Sequence, residues 1–248
     1  MSDVRVFAAG SMTHLMPCLT SLYQQEHSVR IQTTFGPSGS LRAKIEAGQA
    51  FDLYLSASTI HTKTLKAHGF LEEINILGFN TMVLLYQADL NLQASDVIST
   101  LVSPNISVGM STTGLDPTSD HEIEVLQKVS QHSGVPLEIL EQKTRLITGG
   151  RETPNAPTGR NQYGWLMETE NVQVLLTYLS NALAAVADNA NIRFIELPDP
   201  IAVTGTYGIG LANMPTDQAR DFYKWLIDID AQEILKRGGF NRVDQRST

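Results

Sequence analysis

Two rhythms of apolar and polar positions alternate along this chain. Short, nearly continuous apolar runs suit strands buried on both faces, and between them apolar residues recur at a spacing of three and four, which suits helices. Residues 4–9 read as a strand, and 14–25 then carry Leu15, Leu19 and Leu22 at helical spacing, with Pro17 tolerable only near the first turn. Strand 29–35, helix 40–47, strand 52–56 and helix 59–68, closed by Gly69, repeat the unit. Beyond them the pattern predicts strands at 80–86, 106–110, 145–148, 172–177, 192–196 and 201–211. It predicts helices at 119–131, 182–187 and 216–229, and a last helix ending at Gly238 and Gly239. Such regular alternation builds parallel sheets from βαβ units, so the fold class is α/β.

The longest irregular stretch is GGRETPNAPTGRNQ over 149–162. Its two prolines and three glycines fit neither a helix interior nor a central strand. Loops of this length usually carry function or move.

At 248 residues the chain is long enough for one large domain or for two lobes of roughly 120 residues each. It carries 18 basic against 26 acidic residues, a net charge of −8, with the basic residues scattered. That argues against nucleic acid as a partner. A small anion remains open, because backbone amides and hydroxyls hold one without a basic surface. No apolar tract is long enough to cross a bilayer. The opening residues, MSDVRVFAAG, hold neither a basic nor an apolar leader segment, which leaves a cytoplasmic protein or an exported one whose leader has been removed. The single cysteine, Cys18, allows no internal disulfide, and its place in the first helical pattern predicts a small buried hydrophobe.

Ser38 stands between glycines after a predicted strand, where a hydrolase nucleophile would sit. That turn needs G-x-S-x-G, whereas here Pro37 precedes the serine and Gly39 follows it directly. His61, His68, His121 and His132 lie in or beside helical patterns rather than on loops that would complete a triad. No phosphate-loop motif occurs, and GTYGIG at 205–210 falls inside a strand-like run. His14 and Cys18, four apart on one helix face, offer a metal two ligands and no partner pair. Three places do share a pattern: AAGSMT with Ser11, GPSGSL with Ser38 and Ser40, and LDPTSD with Thr118 and Ser119. Each puts small or hydroxyl residues where a strand meets the start of a helix. Singly, each reads as an ordinary N-cap. Together, over both halves of the chain, they also suit a shared anion, because such junctions aim backbone N–H groups and the positive helix end beyond the strand ends.

The stretch VFAAGSMTHLMPCLTSLYQQEHSVRIQTTFGPSGSLRAKIEAGQAFDLYLSAS resembles the N-terminal signature of the molybdate- and tungstate-binding proteins of bacterial ABC importers. These are type II periplasmic-binding proteins, and the shared features are a small-residue run ending in Ser, a Phe, a serine cluster, and I-E-A-G before Asp and a strand. A weaker likeness extends to YKWLIDIDAQEILKRGGF. The resemblance implies two α/β lobes, each a mostly parallel sheet flanked by helices, formed by 1–82 with 200–248 and by 83–199. A two-strand hinge would lie near 79–84 and 198–203, with the ligand in the cleft. It implies a periplasmic, monomeric binding protein that is no enzyme and needs no cofactor. Such a protein captures a tetrahedral oxyanion, molybdate or tungstate, and delivers it to the membrane permease of an ABC transporter.

On this sequence the resemblance places hydroxyl donors at Ser11 and Ser38, with backbone N–H donors at Met12 and Gly39. In the second lobe it places a backbone donor at Thr118, a hydroxyl at Tyr178 and, by a gapless count, a further backbone donor at Arg160. No side chain would coordinate the metal, which is reached through its oxygens. Arg160, with Arg151 nearby, departs from the family's neutral lining. Turned inward, its guanidinium would suit sulfate, phosphate or a small organic acid; turned outward, only its backbone would matter. His121 stands beside the site where the family often has a tyrosine, and Ser40 is the expected cap of the helix after Ser38.

Overall fold

The computed structural model describes residues 3–113, 117–150 and 152–241. The chain runs β1 (Asp3–Ala9), α1 (Met16–Glu26), β2 (Arg30–Gly36), α2 (Ser38–Glu46), β3 (Leu53–Ser56), α3 (Thr59–Ala67) and the long β4 (Leu71–Gln87). There follow α4 (Val97–Val102), β5 (Val108–Ser111), α5 (Pro117–Ser133), α6 (Leu137–Lys143), β6 (Thr144–Thr148), α7 (Gln162–Thr169), β7 (Val174–Tyr178) and α8 (Leu179–Asp188). It closes with β8 (Ile192–Glu196), β9 (Thr204–Ala212), α9 (Asp217–Ile227), α10 (Ile229–Arg237) and β10 (Phe240–Asn241). Two compact units result, Met1–Asn80 with Gly205–Thr248, and Thr81–Thr204.

In the first unit β1 lies between β2 and β3 and runs parallel to both, with Ala9 opposite Gly36 and Ala8 opposite Leu55. β9 pairs antiparallel with β3, and β10 pairs antiparallel with β4 at Phe240 and Asn80. The apolar run of β1 is buried because helices cover the sheet. Phe7 and Tyr54 pack with Leu41 and Ile45 of α2 and Leu65 of α3. Tyr23 of α1 meets Phe222 of α9 with ring centroids 4.8 Å apart. Pro17 is accommodated in the first turn of α1, where its missing N–H has no helical partner to lose.

In the second unit β5 is the central parallel strand, flanked by β6 and β7. β4 pairs antiparallel with both β7 and β8. Val83, Leu85, Leu175, Leu166, Met167, Ala182 and Ala185 form the core that joins α7 and α8 to the sheet. Gly109 of β5 leaves room for side chains of the flanking strands: a Cβ there would come within 2.9 Å of Leu175 Cδ1 on β7 and 3.0 Å of Ile147 Cδ1 on β6.

The α/β alternation holds, and antiparallel strands join it where the chain passes from one unit to the other. β4 starts well before residue 80, because Glu72, Glu73 and Asn75 hide its first part from an apolar reading. The strand expected over 201–211 begins only at Thr204, since a 3-10 turn at Asp199–Ile201, with Pro200 inside it, comes first. Cys18 is exposed, contrary to the buried hydrophobe expected: Met16, Leu19 and Tyr23 make the buried side of α1, and position 18 lies off it. Among the described residues, no helix is long and apolar enough to cross a membrane.

Candidate anion-binding site

In the first unit, sheet register brings two serines to one edge. Ala9 faces Gly36, so Ser11 and Ser38, each two residues further on, leave adjacent strands at the same level. Neighbouring strands are about 4.8 Å apart. Ser11 and Met12 are buried in a 3-10 turn, Gly10–Met12, that no side chain caps. Ser38, fully buried, opens α2 behind Pro37, again without a side-chain cap.

The hydroxyl of Ser38 is held from behind. Its Oγ accepts the N–H of Ala57 at 3.0 Å, and its carbonyl accepts the Tyr54 hydroxyl at 2.7 Å. An amide can only donate, so the serine keeps its own proton for another acceptor. Burial pushes the Tyr54 phenol up to about 12, which keeps it a donor throughout the neutral range. Ser11 Oγ lies 2.6 Å from the buried hydroxyl of Tyr207 on β9. Sequence reasoning missed both tyrosines. Tyr207 sits in GTYGIG, next to Gly208, which pairs with Ser56 at the end of β3.

The third strand-to-helix junction of this unit shows the ordinary use of serine. Ser58 caps α3 by accepting the N–H of Ile60, and Ser56 donates to the Ser58 carbonyl. Helices α1, α4 and α6 also start without a side-chain cap, so an uncapped start alone marks nothing. The buried, oriented hydroxyl distinguishes α2. Ser40 is not its cap, as expected from the sequence, but an exposed residue within its first turn. A Cβ on Gly39 would lie 3.7 Å from the His61 ring, an ordinary contact, so the fold does not require glycine there. The hydrolase reading of Ser38 finds no support in its contacts: the group bonded to its oxygen is the Ala57 amide, which is not a general base. His61 instead presents Nδ1 to Arg42 Nη1 at 3.3 Å.

In the second unit, Thr118 and Ser119 are buried in the first turn of α5. One turn beyond Thr118, His121 Nδ1 lies 2.7 Å from the hydroxyl of Tyr178, the last residue of β7, and the rings meet edge to face. This contact sets the start of α5 against the end of β7 and brings Thr118 and Tyr178 to one edge of the unit. His121 therefore contacts a proposed donor directly. Beneath lies Glu122, fully buried, whose oxygens accept Ser111 N–H at 2.7 Å and Ser111 Oγ–H at 3.1 Å. Ser111 Oγ is also 2.9 Å from Thr148 Oγ1. A buried carboxylate requires such bonds, and these tie α5 to the ends of β5 and β6. Glu122 had no signal in the sequence, where it reads as a polar helix position.

Arg160 does not join this group, which corrects both readings of it. Its Nη2 is 2.9 Å from Glu168 Oε1, its Nε is 3.1 Å from Asp188 Oδ2, and its amide donates to the Pro157 carbonyl at 3.0 Å. Asp188 ends the helix that Tyr178 precedes, and a helix of that length spans about 14 Å. The Asn161 amide, and then Arg160, hold the Asp188 carboxyl below its ordinary range. A gapless count fails through 149–162 because that segment is irregular until Asn161 caps α7. Arg151 and residues 114–116, which include the first two of the LDPTSD junction, lie outside the described residues. Among the described residues, no group of three His, Cys, Asp or Glu is placed to hold a metal ion.

Two α/β units, built from segments that cross twice and carry hydroxyls at their strand ends, define the type II periplasmic-binding-protein fold. The sequence model of the bacterial extracellular solute-binding protein family matches residues 4–241, and the chain belongs to that family. It is accordingly a binding protein and not an enzyme. One similar solved structure, from Clostridium difficile, is described as the substrate-binding domain of a molybdenum ABC transporter. It is 21% identical, with a TM-score of 0.73 over 98% of this chain and 100% of that one. The periplasmic molybdate-binding protein of Azotobacter vinelandii is 13% identical, with a TM-score of 0.76 over 97% and 100%. The sulfate-binding protein SubI of Mycobacterium tuberculosis is 13% identical, with a TM-score of 0.76 over 99% and 88%.

Proposed function

We propose that this chain captures a tetrahedral oxyanion, molybdate or tungstate, outside the cytoplasm and delivers it to the permease of an ABC importer. The donors are the hydroxyls of Ser11, Ser38 and Tyr178 and the amides of Met12, Gly39 and Thr118. The observation that carries this reading is the buried Ser38 hydroxyl, whose oxygen is occupied by the Ala57 amide and whose proton is left for an acceptor. Two structural neighbours named for molybdenum or molybdate support the choice of ligand. The two passages of the chain between units are the proposed hinge, and a closed state is favoured by the ligand's extra affinity for it. The protein acts as a monomer in this reading.

A second reading is sulfate, because the donor set is neutral and one neighbour is a sulfate-binding protein. Calorimetry with molybdate, tungstate, sulfate and phosphate separates these. Tight binding of the first two supports the proposal, selective binding of sulfate supports the second, and no heat with any of the four removes both.

A further inference from the structure

The second unit holds a polar cavity of about 960 Å³, within the range of sites for small molecules. Gln87 at the end of β4, Ser107 and Gln173 just before β5 and β7, and Lys143 at the end of α6 line it. It therefore lies at the amino ends of the parallel strands. At about 3.3 Å per residue, β7 separates Gln173 from Tyr178 by about 16 Å. The floor of the cavity is tied to backbone groups. Ser107 N–H donates to Gln173 Oε1 at 3.0 Å, Gln173 N–H to Ser107 Oγ at 3.0 Å, and the Ser107 hydroxyl to the Asn171 carbonyl at 3.2 Å. Gln87 Nε2 donates to the carbonyls of Met167 and Val172 at 3.2 and 3.4 Å. Lys143 Nζ donates to those of Leu101 and Ser103 at 2.7 and 2.6 Å.

These bonds fix what each group has left to offer. A backbone N–H only donates, so the Gln173 oxygen is the end held by Ser107 and its NH2 is spare. A carbonyl only accepts, so the Gln87 NH2 is the end in use and its oxygen is spare. Lys143 keeps a third N–H. None of the three spare groups has a further partner among the described residues. The rim adds the carboxamides of Asn105, Asn171 and Asn191 and the carboxylate of Asp89, while Pro104 and Ile106 supply apolar surface. One lysine and one aspartate leave the lining neutral overall. A fully deprotonated oxyanion would meet the Gln87 oxygen and Asp89 with no proton to give, and a metal ion would meet the Lys143 ammonium. A hydroxyl both gives and takes, and a ring that carries several also has C–H surface for the apolar wall. We propose that this cavity binds a neutral, hydroxyl-rich small molecule, a mono- or disaccharide. The proposal does not rest on the oxyanion reading, whose donors in this unit lie at the opposite strand ends.

Proton–nitrogen NMR of the full chain, titrated with glucose, N-acetylglucosamine, maltose and sucrose, tests this, with sodium acetate and glycine as charged probes. The expected result is saturable shifts at the side-chain amides of Gln87 and Gln173 and at the Ser107 backbone amide with at least one saccharide, alike with and without sodium molybdate. Gln173→Glu keeps the oxygen that accepts from Ser107 and exchanges the spare NH2 for an acceptor, so it should weaken that binding roughly tenfold. Lys143→Met keeps the stem and loses the spare N–H, and should weaken it by a similar factor. Both variants should leave oxyanion affinity unchanged. The proposal is overturned by the absence of saturable shifts at these amides with all four saccharides at millimolar concentration, by shifts with acetate or glycine alone, or by unchanged saccharide affinity in both variants. The titration of the unsubstituted chain decides the matter even if neither variant folds. Failure of molybdate, tungstate, sulfate and phosphate to bind would remove the oxyanion reading and leave this one standing.

Discussion

The two units offer their hydroxyls from the same place, the carboxyl edge of a parallel strand, yet what stands behind each oxygen differs. Behind Ser38 is a backbone amide, and behind Tyr178 is an imidazole. An amide has one role at any pH, so it fixes the serine as a donor. An imidazole can stand on either side of the exchange, so the tyrosine's role is conditional. The lesson is that a hydroxyl takes its polarity from its partner: Ser38 has settled by a backbone amide what Tyr178, like Ser11 beside the Tyr207 hydroxyl, leaves to a side chain.

The strongest test of the fixed side is alkaline. Because burial raises the folded pKa of Tyr54 above the ordinary value near 10, the group adds stability that is complete below pH 10 and is lost as pH rises through 10 toward 12. At its limit the loss is about 3 kcal/mol. Melting temperatures from pH 9 to 12 should fall, and Tyr54→Phe should flatten that fall; an unchanged slope would mean the phenol is not held as described. Tyr223, also raised by burial, leaves a residual slope of the same sign.

Next in size is Ser38→Ala, which removes the outward donor and strands the Ala57 amide. We expect oxyanion affinity to drop by about 2 kcal/mol, roughly 30-fold, since the bond goes to a charged group. Unchanged affinity would take Ser38 out of the site. Tyr178→Phe should cost less, about 1 kcal/mol, because its donor is conditional; a loss larger than that of Ser38→Ala would reverse the comparison. The smallest effect is expected from Arg160→Ala: affinity within about twofold and a melting temperature close to that of the unsubstituted chain, as for exposed ion pairs. A large affinity loss would restore Arg160 to the site.

The fold was legible because alternation of apolar runs and helical spacing is a local signal, and Val4 to Ala9 or Ile192 to Glu196 carry it plainly. Ser11 and Ser38 were legible as candidates because both follow strands directly. Their partners were not. Tyr207 reaches Ser11 across 196 positions of sequence, and His121 reaches Tyr178 across 57. No periodicity encodes such pairs, which exist only once the strands are in register. Arg160 misled for the complementary reason: its place was counted through a loop whose path the sequence does not constrain, and two carboxylates from α7 and α8 took its guanidinium.

Helix α2 begins without a side chain to close it. A capping side chain contributes about 1 kcal/mol to a helix. On the oxyanion reading the bound anion takes that office, arriving and leaving as a removable piece of secondary structure. The first turn of α2 would then be firmer in the loaded chain than in the empty one, and hydrogen exchange at the amides of Ser38, Gly39 and Ser40 becomes a gauge of occupancy, read without following the ligand at all.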